Sequence, residues 1–569
     1  MSAELEPTYK WKNLPWKKIE RGVFKLQKRI YQAEKRGDRK TVHRLQRLLT
    51  KSWQVRALAV RRVTQENQGK KTAGVDGIRN LNPAQRLALV ADLKRPSKPK
   101  PVRRVYIDKP GKAEKRPLGI PVIKDRAHQA VAKMALEPEW EAKFEPNSYG
   151  FRPGRCCQDA VEAIFNAIKF VPRYALDADI KGCFDNIDQE KLLDKLNTYP
   201  AMRRVIKQWL RAGVMEELEL MTTEKGTPQG GVVSPLLANI ALHGLEEKIT
   251  QAFPKKAVVN GKTEWSYRPK VVKYADDFVI LHQDLEVIKQ CQEIAKQWLA
   301  EMGLELKESK TRITHTLNRY EGQVGFDFLG FNIRQFPVGK THCRKTGIRN
   351  WENDGRINFK TIIKPSKQAV KTHYRAIADT IGRYDSKPQA ALIMKLNPQI
   401  RGWCRYYSTV VSTETFNKLD HLVCQRLLRW GRRRHQHRSR RRMVAKYFNI
   451  NRDRGSHRPW DFIAPDGTAL LRYADTGIKR HVMVKTTRSP YDGDFVYWAT
   501  RMGNHPLISR RVAQLLKRQG GKCVECGLYF WEGERIGIDY IIPKQSGGRD
   551  AYWNWLLLHT HCYERKSDH

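Results

Sequence analysis

The chain has 569 residues, with 107 Lys and Arg against 59 Asp and Glu, for a formal net charge of +48. That charge points to a polyanionic partner, either as a ribosomal or chromatin-like structural protein or as an enzyme acting on nucleic acid, and the length predicts four or five domains of roughly 100–150 residues. No run of about eighteen apolar residues is present and Met1-Ser-Ala-Glu-Leu-Glu-Pro7 lacks the charged-then-apolar form of a signal peptide, so a membrane partner is excluded and a cytosolic location expected.

From the front, Ile19, Val23, Leu26 and Ile30 recur at helical spacing among Lys17, Lys18, Arg21, Lys25, Lys28 and Arg29. A second basic amphipathic helix follows the Arg36-Gly37-Asp38 break, with Val42, Leu45 and Leu49 on one side and Arg39, Lys40, Arg44 and Arg47 around them. Thr72-Ala-Gly-Val-Asp-Gly77 reads as a turn that opens a new domain. Lys109 and Arg116 lie in a Pro/Gly-rich turn region where they can clamp phosphates, Arg bidentately and Lys as a point charge; ordinary surface charge is the alternative in so basic a chain.

Tyr174-Ala-Leu-Asp-Ala-Asp-Ile-Lys-Gly-Cys-Phe-Asp185 reads as a strand running into a turn, with Asp179 at the strand end. Gln229 sits between glycines that let backbone approach a ligand closely. Between Lys270 and Leu281, the residues Val271, Val272, Phe278, Val279, Ile280 and Leu281 surround Tyr274-Ala-Asp-Asp277, which predicts a hairpin with two carboxylates at its tip. Such a pair is either a solvated acidic turn or a site for a divalent cation, and Mg²⁺ takes hard oxygen ligands together with substrate phosphates. Asp179 supplies a third carboxylate from a separate segment, so Asp179, Asp276 and Asp277 suit phosphoryl transfer with two metal ions about 4 Å apart.

From Lys364 to Trp430 the pattern turns helical, ending in Phe416, Leu419, Val423, Leu427 and Trp430 on one face. Gln399-Ile-Arg-Gly-Trp-Cys-Arg-Tyr-Tyr407 mixes Arg with aromatic rings, which serves either phosphate pairing beside base stacking or a packed aromatic helix. Gly431 to Arg442 carries seven arginines and two histidines in twelve residues, a phosphate-tracking segment or a disordered tail. The following stretch to about residue 504, including Pro490-Tyr-Asp-Gly-Asp-Phe-Val-Tyr-Trp498, has no chemical motif. Of the ten cysteines most are scattered, which predicts reduced thiols. Cys523 and Cys526, with His559 and Cys562 further on, have the spacing of a structural zinc site, most simply Cys₃His, with His561 as the other candidate histidine.

The blocks Lys109-Pro-Gly, Arg116-Pro-Leu-Gly-Ile-Pro121, Ser148-Tyr-Gly-Phe-Arg-Pro-Gly154, Asp179 through Asp185, Gly226-Thr-Pro-Gln-Gly-Gly-Val-Val-Ser-Pro-Leu-Leu-Ala-Asn239, the Tyr274 box, Lys310-Thr311 and Phe328-Leu-Gly-Phe331 stand in one order along the chain. That order resembles the reverse transcriptases and maturases encoded by group II introns. The resemblance implies a multidomain α+β protein built on a right-hand polymerase: a basic helical N-terminal extension over 1–70, fingers and palm over 71–355 with a β-hairpin active site, and a three-helix thumb and maturase domain over 356–430. A DNA-binding segment over 431–504 and a small zinc-bound ββα module of HNH endonuclease type over 505–569 would follow. It further implies two Mg²⁺ ions at Asp179, Asp276 and Asp277. Contacts to the incoming dNTP would come from Lys109, Arg116, Phe184 against the sugar 2′ position, Gln229 and Lys310; a core phenylalanine and a solvated lysine are the alternatives for Phe184 and Lys310. The partners implied are intron RNA, an RNA template with a DNA primer, and target DNA, in a bacterial or organellar, nucleoid-associated setting.

The terminal module departs from the pattern. Where the HNH family has histidines as general base and metal ligand, this chain has Tyr540 after Asp539 and Tyr563 after Cys562, while Asp539 and Asn554 remain. A phenol is mostly protonated at neutral pH and is a weaker metal ligand than imidazole, so the module is expected to fold on zinc and bind DNA with its nuclease activity lost. The rival functions are a splicing cofactor that no longer polymerises and a bacterial reverse transcriptase serving defence or tropism switching.

Overall fold

A computed structural model describes residues 10–94, 97–108, 115–216, 219–254, 256–259, 262–265, 267–339, 344–345, 356–435, 439–450, 460–485, 487–531, 534 and 536–567. Lys109 lies outside the described residues, as do Met1 to Pro7 and part of the arginine run.

Helices α1 (Trp16–Lys35) and α2 (Arg39–Lys51) form the predicted basic hairpin, and α3 (Trp53–Arg61) follows. Gly37 turns with φ of 73°, and Asp38 caps α2 by accepting from the Thr41 N–H at 3.0 Å. The apolar stripes are spent on packing against α4 (Ile123–Lys143): Ile19, Val23, Ile30, Val42, Leu45 and Leu49 are buried, Gln27 Nε2 donates to the Met134 carbonyl at 2.9 Å, and Gln46 Nε2 donates to Glu139 at 2.6 Å. The basic faces are left outward, with Arg21, Lys25, Arg29 and Arg44 exposed.

Strands β1 (Val102–Asp108) and β2 (Lys115–Ile120) pair antiparallel in a four-stranded sheet ahead of the central one. The central sheet consists of β3 (Tyr174–Asp179), β4 (Lys270–Tyr274), β5 (Asp277–His282) and β6 (Arg312–His315), in the order β6-β3-β5-β4 and antiparallel throughout. Its β-branched and aromatic residues explain the strands: Leu176, Val271, Phe278 and Ile280 enter one core, while Ala175, Val272, Val279 and Leu281 enter another on the opposite face.

A second antiparallel sheet, β7 (Phe326–Phe328), β8 (Phe331–Pro337) and β9 (Phe359–Pro365), leads into the thumb. Lys364 therefore sits on a strand, and the helical pattern begins only after Ser366, whose hydroxyl caps α5 (Lys367–Arg383). The strand forms because Ile362 and Ile363 pair with Arg334 and Ile333 across the ladder, an arrangement invisible to helical periodicity. Helices α6 (Gln389–Tyr407) and α7 (Thr413–Arg434) complete a three-helix bundle at the place of the expected thumb, with Phe416, Leu419, Val423, Leu427 and Trp430 buried.

Residues beyond 434 do not stand apart. Met443, Tyr447, Phe462, Tyr473, Val484 and Trp498 share one core with the thumb helices, and the N–H groups of Tyr473 and Ala474 both donate to Asp420 at 2.9 Å. Part of the arginine run ends α7: Arg434 donates to the Asp385 and Lys387 carbonyls at 2.7 Å and Arg433 pairs with Asp385 at 2.7 Å, while Arg440, Arg441 and Arg442 are exposed. The segment is fastened by Asp159, which is wholly buried on α8 (Cys157–Ile168). It accepts from Arg501 at 2.6 Å, from the Val484 N–H at 2.7 Å and lies 2.9 Å from His481 Nε2. Burial alone would raise its pKa, but His481, Arg501 and the Val484 N–H outweigh burial and hold the carboxyl well below the usual range. Asp159→Ala is expected to cost about 3–5 kcal/mol by stranding Arg501, and limited proteolysis should then cut within 480–501; an unchanged cleavage pattern would contradict this latch.

The last residues form a small module with its own core of Ala513, Leu515, Leu516, Phe530 and Leu556 to Leu558. Strands β10 (Ile536–Tyr540) and β11 (Trp555–His559) pair antiparallel and run into a helix at Thr560–Ser567, a ββα arrangement. No helix among the described residues is long and apolar enough to cross a membrane, and the described cysteines form no disulfide.

Candidate active site and metal centre

The register of the central sheet assembles the acidic site. Asp179, the last residue of β3, lies directly opposite Asp277, the first of β5, and Asp276 occupies the turn between β4 and β5. That turn requires Ala275 at φ of 57°, a left-handed conformation costly for a residue with a Cβ. It is held from behind, because Gly150 lies so close to the Ala275 N–H that any Cβ there would collide with it. The carbonyl of Gly150 accepts from Asn239 Nδ2 at 2.8 Å, and the Lys273 backbone exchanges bonds of 2.9 Å with Asn147 and Tyr149. Lys273 itself is buried against Glu145 at 2.9 Å, while Glu145 also accepts from the N–H groups of Gly244 and Glu246 at 3.0 and 2.8 Å.

Burial, with Asp276 and Asp179 alongside, pushes the Asp277 carboxyl up to about 7. Asp276 is raised by burial and by Asp179, with Arg116 and Lys310 opposing. Asp179 and Asp277 thus face each other across the ladder with Asp276 in the adjoining turn, and the Lys310 ammonium donates to Asp179 in the position of a counter-cation. Lys310 belongs to a turn tied to β3 by the Lys307 N–H, which donates to the Asp179 carbonyl at 2.8 Å.

The other sequence-predicted residues lie on separate blocks. Phe184 lies on the helical turn Cys183–Asn186, partly buried against the core, and its carbonyl accepts from the Thr227 N–H at 2.6 Å. Gln229 is half-buried beside Gly230, which abuts the Gly119 carbonyl of β2, the strand that bears Arg116. Asp177 was not singled out by sequence reasoning. It lies two residues before Asp179 on the same face of β3, and burial raises it to about 7, with Asp327 and Asp179 adding to the shift and Arg312 opposing it. The Asp-Ala-Asp alternation was the signal that could have found it.

From these carboxylates a cleft of about 1640 Å³ runs to the thumb, lined at one end by Asp179, Asp277 and Arg312 and at the other by Gln399, Trp403 and Tyr406. The aromatic residues of 399–407 are mainly packed: Tyr406 and Tyr407 hydroxyls donate to the Leu329 and Gly330 carbonyls at 2.9 and 3.1 Å, and Trp403 stacks on His373 at 4.8 Å. Arg401 and Arg405 remain exposed.

In the terminal module one ligand atom from each of Cys523, Cys526, His559 and Cys562 lies within 4.8 Å of all the others. Burial would raise the Cys523 thiol, but the N–H groups of Cys526, His559 and Glu525 outweigh it and bring it down to about 7. His559 turns Nδ1 toward Cys526 at 3.2 Å and Nε2 toward Glu534 at 3.4 Å. His561 is exposed and stacked on the His559 ring at 5.1 Å, outside the set. Sulfur and imidazole donors at these separations fit a tetrahedral zinc ion.

Around the altered positions, the Tyr540 hydroxyl and Trp555 Nε1 both donate to Asp550 Oδ1 at 2.9 Å, and Asp539 Oδ1 accepts from the Tyr540 N–H at 2.8 Å. Asn554 is fully buried and its amide is occupied by loop backbone, accepting from the Ile542 N–H at 2.8 Å and donating to the Ile542 and Arg549 carbonyls. Tyr563 is partly exposed and rests on Gly537.

Family models match four parts of the chain in sequence: the N-terminal domain of reverse transcriptase at 11–93, reverse transcriptase (RNA-dependent DNA polymerase) at 107–333, the group II intron maturase-specific domain at 370–448, and HNH endonuclease at 523–569. The chain is similar to the group II intron-encoded protein LtrA of Lactococcus lactis, at 29% identity over 392 residues covering 57% of this chain and 63% of that protein. It is also similar to protein YkfC of Escherichia coli, at 29% over 329 residues covering 51% of this chain and 83% of that one. Maturase-like protein 1 of Euglena gracilis is 30% identical over 247 residues, covering 42% of this chain and 52% of the relative. The chain thus spans less than two thirds of the Lactococcus protein it matches. With reverse transcriptase, group II intron maturase and HNH endonuclease models matched in this order, the chain is similar to the group II intron-encoded reverse transcriptases and maturases.

Proposed function

We propose that the chain is an RNA-dependent DNA polymerase and maturase that binds its intron RNA, assists splicing, and acts within the resulting ribonucleoprotein to bind target DNA and copy the intron. The observation that carries this reading is the pairing of Asp179 with Asp277 beside Asp276 at one edge of the central sheet, where Asp179 and Asp277 line a cleft that extends toward the thumb. Two Mg²⁺ ions bound there would lower the pKa of the primer 3′-hydroxyl and neutralise the leaving pyrophosphate. Lys310 withdraws from Asp179 to meet the triphosphate, joined by Arg116 and by Lys109, while Phe184 abuts the sugar and Gln229 the nascent base pair. The outward basic faces of α1 and α2, with Arg401, Arg405 and Arg440 to Arg442, are where intron RNA and target DNA would lie, in a bacterial or organellar compartment near the nucleoid.

Zinc at Cys523, Cys526, His559 and Cys562 would hold the terminal module together, and the module binds DNA without cutting it. The Tyr540 hydroxyl is committed to Asp550, and the Asn554 amide to the loop, so neither is free to activate water. The competing reading, a splicing cofactor that no longer polymerises, is disfavoured by the intact carboxylates.

Primer extension on an RNA template, with Asp276→Asn as control, separates the two: the enzyme reading expects RNA-templated cDNA from the wild type and none from the variant, while equal absence of product would leave the cofactor. Gly150→Ala is expected to slow single-turnover extension about 100-fold by displacing the Ala275 turn, with template binding retained. An unaltered rate would show that the turn tolerates the shift.

A further inference from the structure

Phe151 is a bulky, half-exposed residue that its neighbours hold in a left-handed conformation. It holds φ of 58°, a conformation that bulky residues adopt only when their surroundings impose it, and its ring is 50% exposed rather than buried. Both neighbours are pinned. The carbonyl of Gly150 is held by Asn239, and the Arg152 guanidinium is buried against Glu141 at 2.8 and 2.9 Å while also donating to the Glu145 and Ser148 carbonyls. The result is an aromatic ring projected beside the catalytic turn that Gly150 supports, edge-on to Phe184 with centroids 6.3 Å apart and planes at 81°. A fold that only needed a turn here would place glycine at Phe151, since glycine adopts this φ freely and exposes no apolar ring.

We propose that Phe151 is a specificity-determining residue that forms, with Phe184, the sugar-side wall of the nucleotide pocket. This rests on the polymerase reading. The edge of one ring on the face of the other is a favourable aromatic geometry. It keeps Phe184 from rotating away when a ribonucleotide presents its 2′-hydroxyl, and the exposed part of the Phe151 ring becomes covered when the incoming deoxyribose arrives. The two rings act as one unit, so their effects on discrimination are not additive.

The test uses the full-length protein on one RNA template and DNA primer, measuring kcat/KM for dGTP and for GTP with the wild type, Phe151→Gly, Phe184→Ala and the double variant, alongside thermal melts. Phe151→Gly relieves the backbone strain, so it should melt at or above the wild-type temperature, yet its preference for dGTP over GTP should fall at least about tenfold, mostly through KM. The double variant should discriminate no worse than Phe184→Ala alone. An extending Phe151→Gly protein with wild-type preference, or a double variant whose losses multiply, overturns the proposal while leaving the polymerase reading intact. A wild-type protein that extends no primer overturns both.

Discussion

Asp277→Asn is expected to reduce RNA-templated primer extension at least about 1,000-fold while leaving the protein as stable as before, or more so. Asparagine keeps the size of the side chain but removes one of three negative oxygen donors, and with it much of the attraction for divalent cations. In the metal-free protein the same change relieves repulsion. Asp277 is pushed up to about 7 by burial and by Asp276 and Asp179, so near neutral pH an ionised carboxylate there is unfavourable to the fold and a neutral amide is not. Template binding should be retained, because Arg312, Arg334 and Lys364 line the cleft independently of the acidic cluster. Extension assays, melts in chelator and template binding, measured together, check this; extension within tenfold of wild type, or a lower melting temperature, would contradict it.

Removing the terminal metal should have the second-largest effect, and a local one. The module is small, and its knuckle at Cys523 and Cys526 is joined to the His559 and Cys562 segment through the four ligand atoms. Structural zinc in peptides of this kind contributes on the order of 10 kcal/mol, more than so small a core supplies alone. Chelation or Cys523→Ser is therefore expected to release zinc and open the module to proteases. The thumb and palm retain their structure, since they bury a separate core. Metal analysis, proteolysis and primer extension on one sample decide this: loss of metal and module with extension preserved is the expected pattern, and a protease-resistant module after chelation would refute the zinc centre.

Much of this was legible in the residues. The acidic hairpin could be read because Val271, Val272, Phe278, Val279, Ile280 and Leu281 leave no alternative to two strands, and the order of blocks carried the remainder of the palm. The thumb helices followed from Phe416 to Trp430, whose spacing is the buried face of one helix. Three things were hidden. Pairing partners distant in sequence decide whether 359–365 is a strand, and no local period reports that. The attachment of 460–501 to the thumb and α8 depends on a shared apolar core and on contacts of Asp420 and Asp159 with residues far along the chain. The backbone of Phe151 is set by Asn239 and Glu141, so its left-handed conformation has no signature in Ser148 to Gly154 beyond the flanking glycines.

The most direct test of a polymerising intron protein with a silent nuclease is to assemble it with the intron RNA that flanks its gene. The complex is then offered duplex DNA carrying the ligated-exon junction, labelled separately on each strand, in Mg²⁺ with dNTPs. The expected result is reaction of only the strand into which the RNA inserts, and cDNA only when a primer is supplied, with Tyr540→His and Tyr563→His together restoring cleavage of the opposite strand. Opposite-strand cleavage by the unaltered protein would contradict the account, and would require a different base in the terminal module.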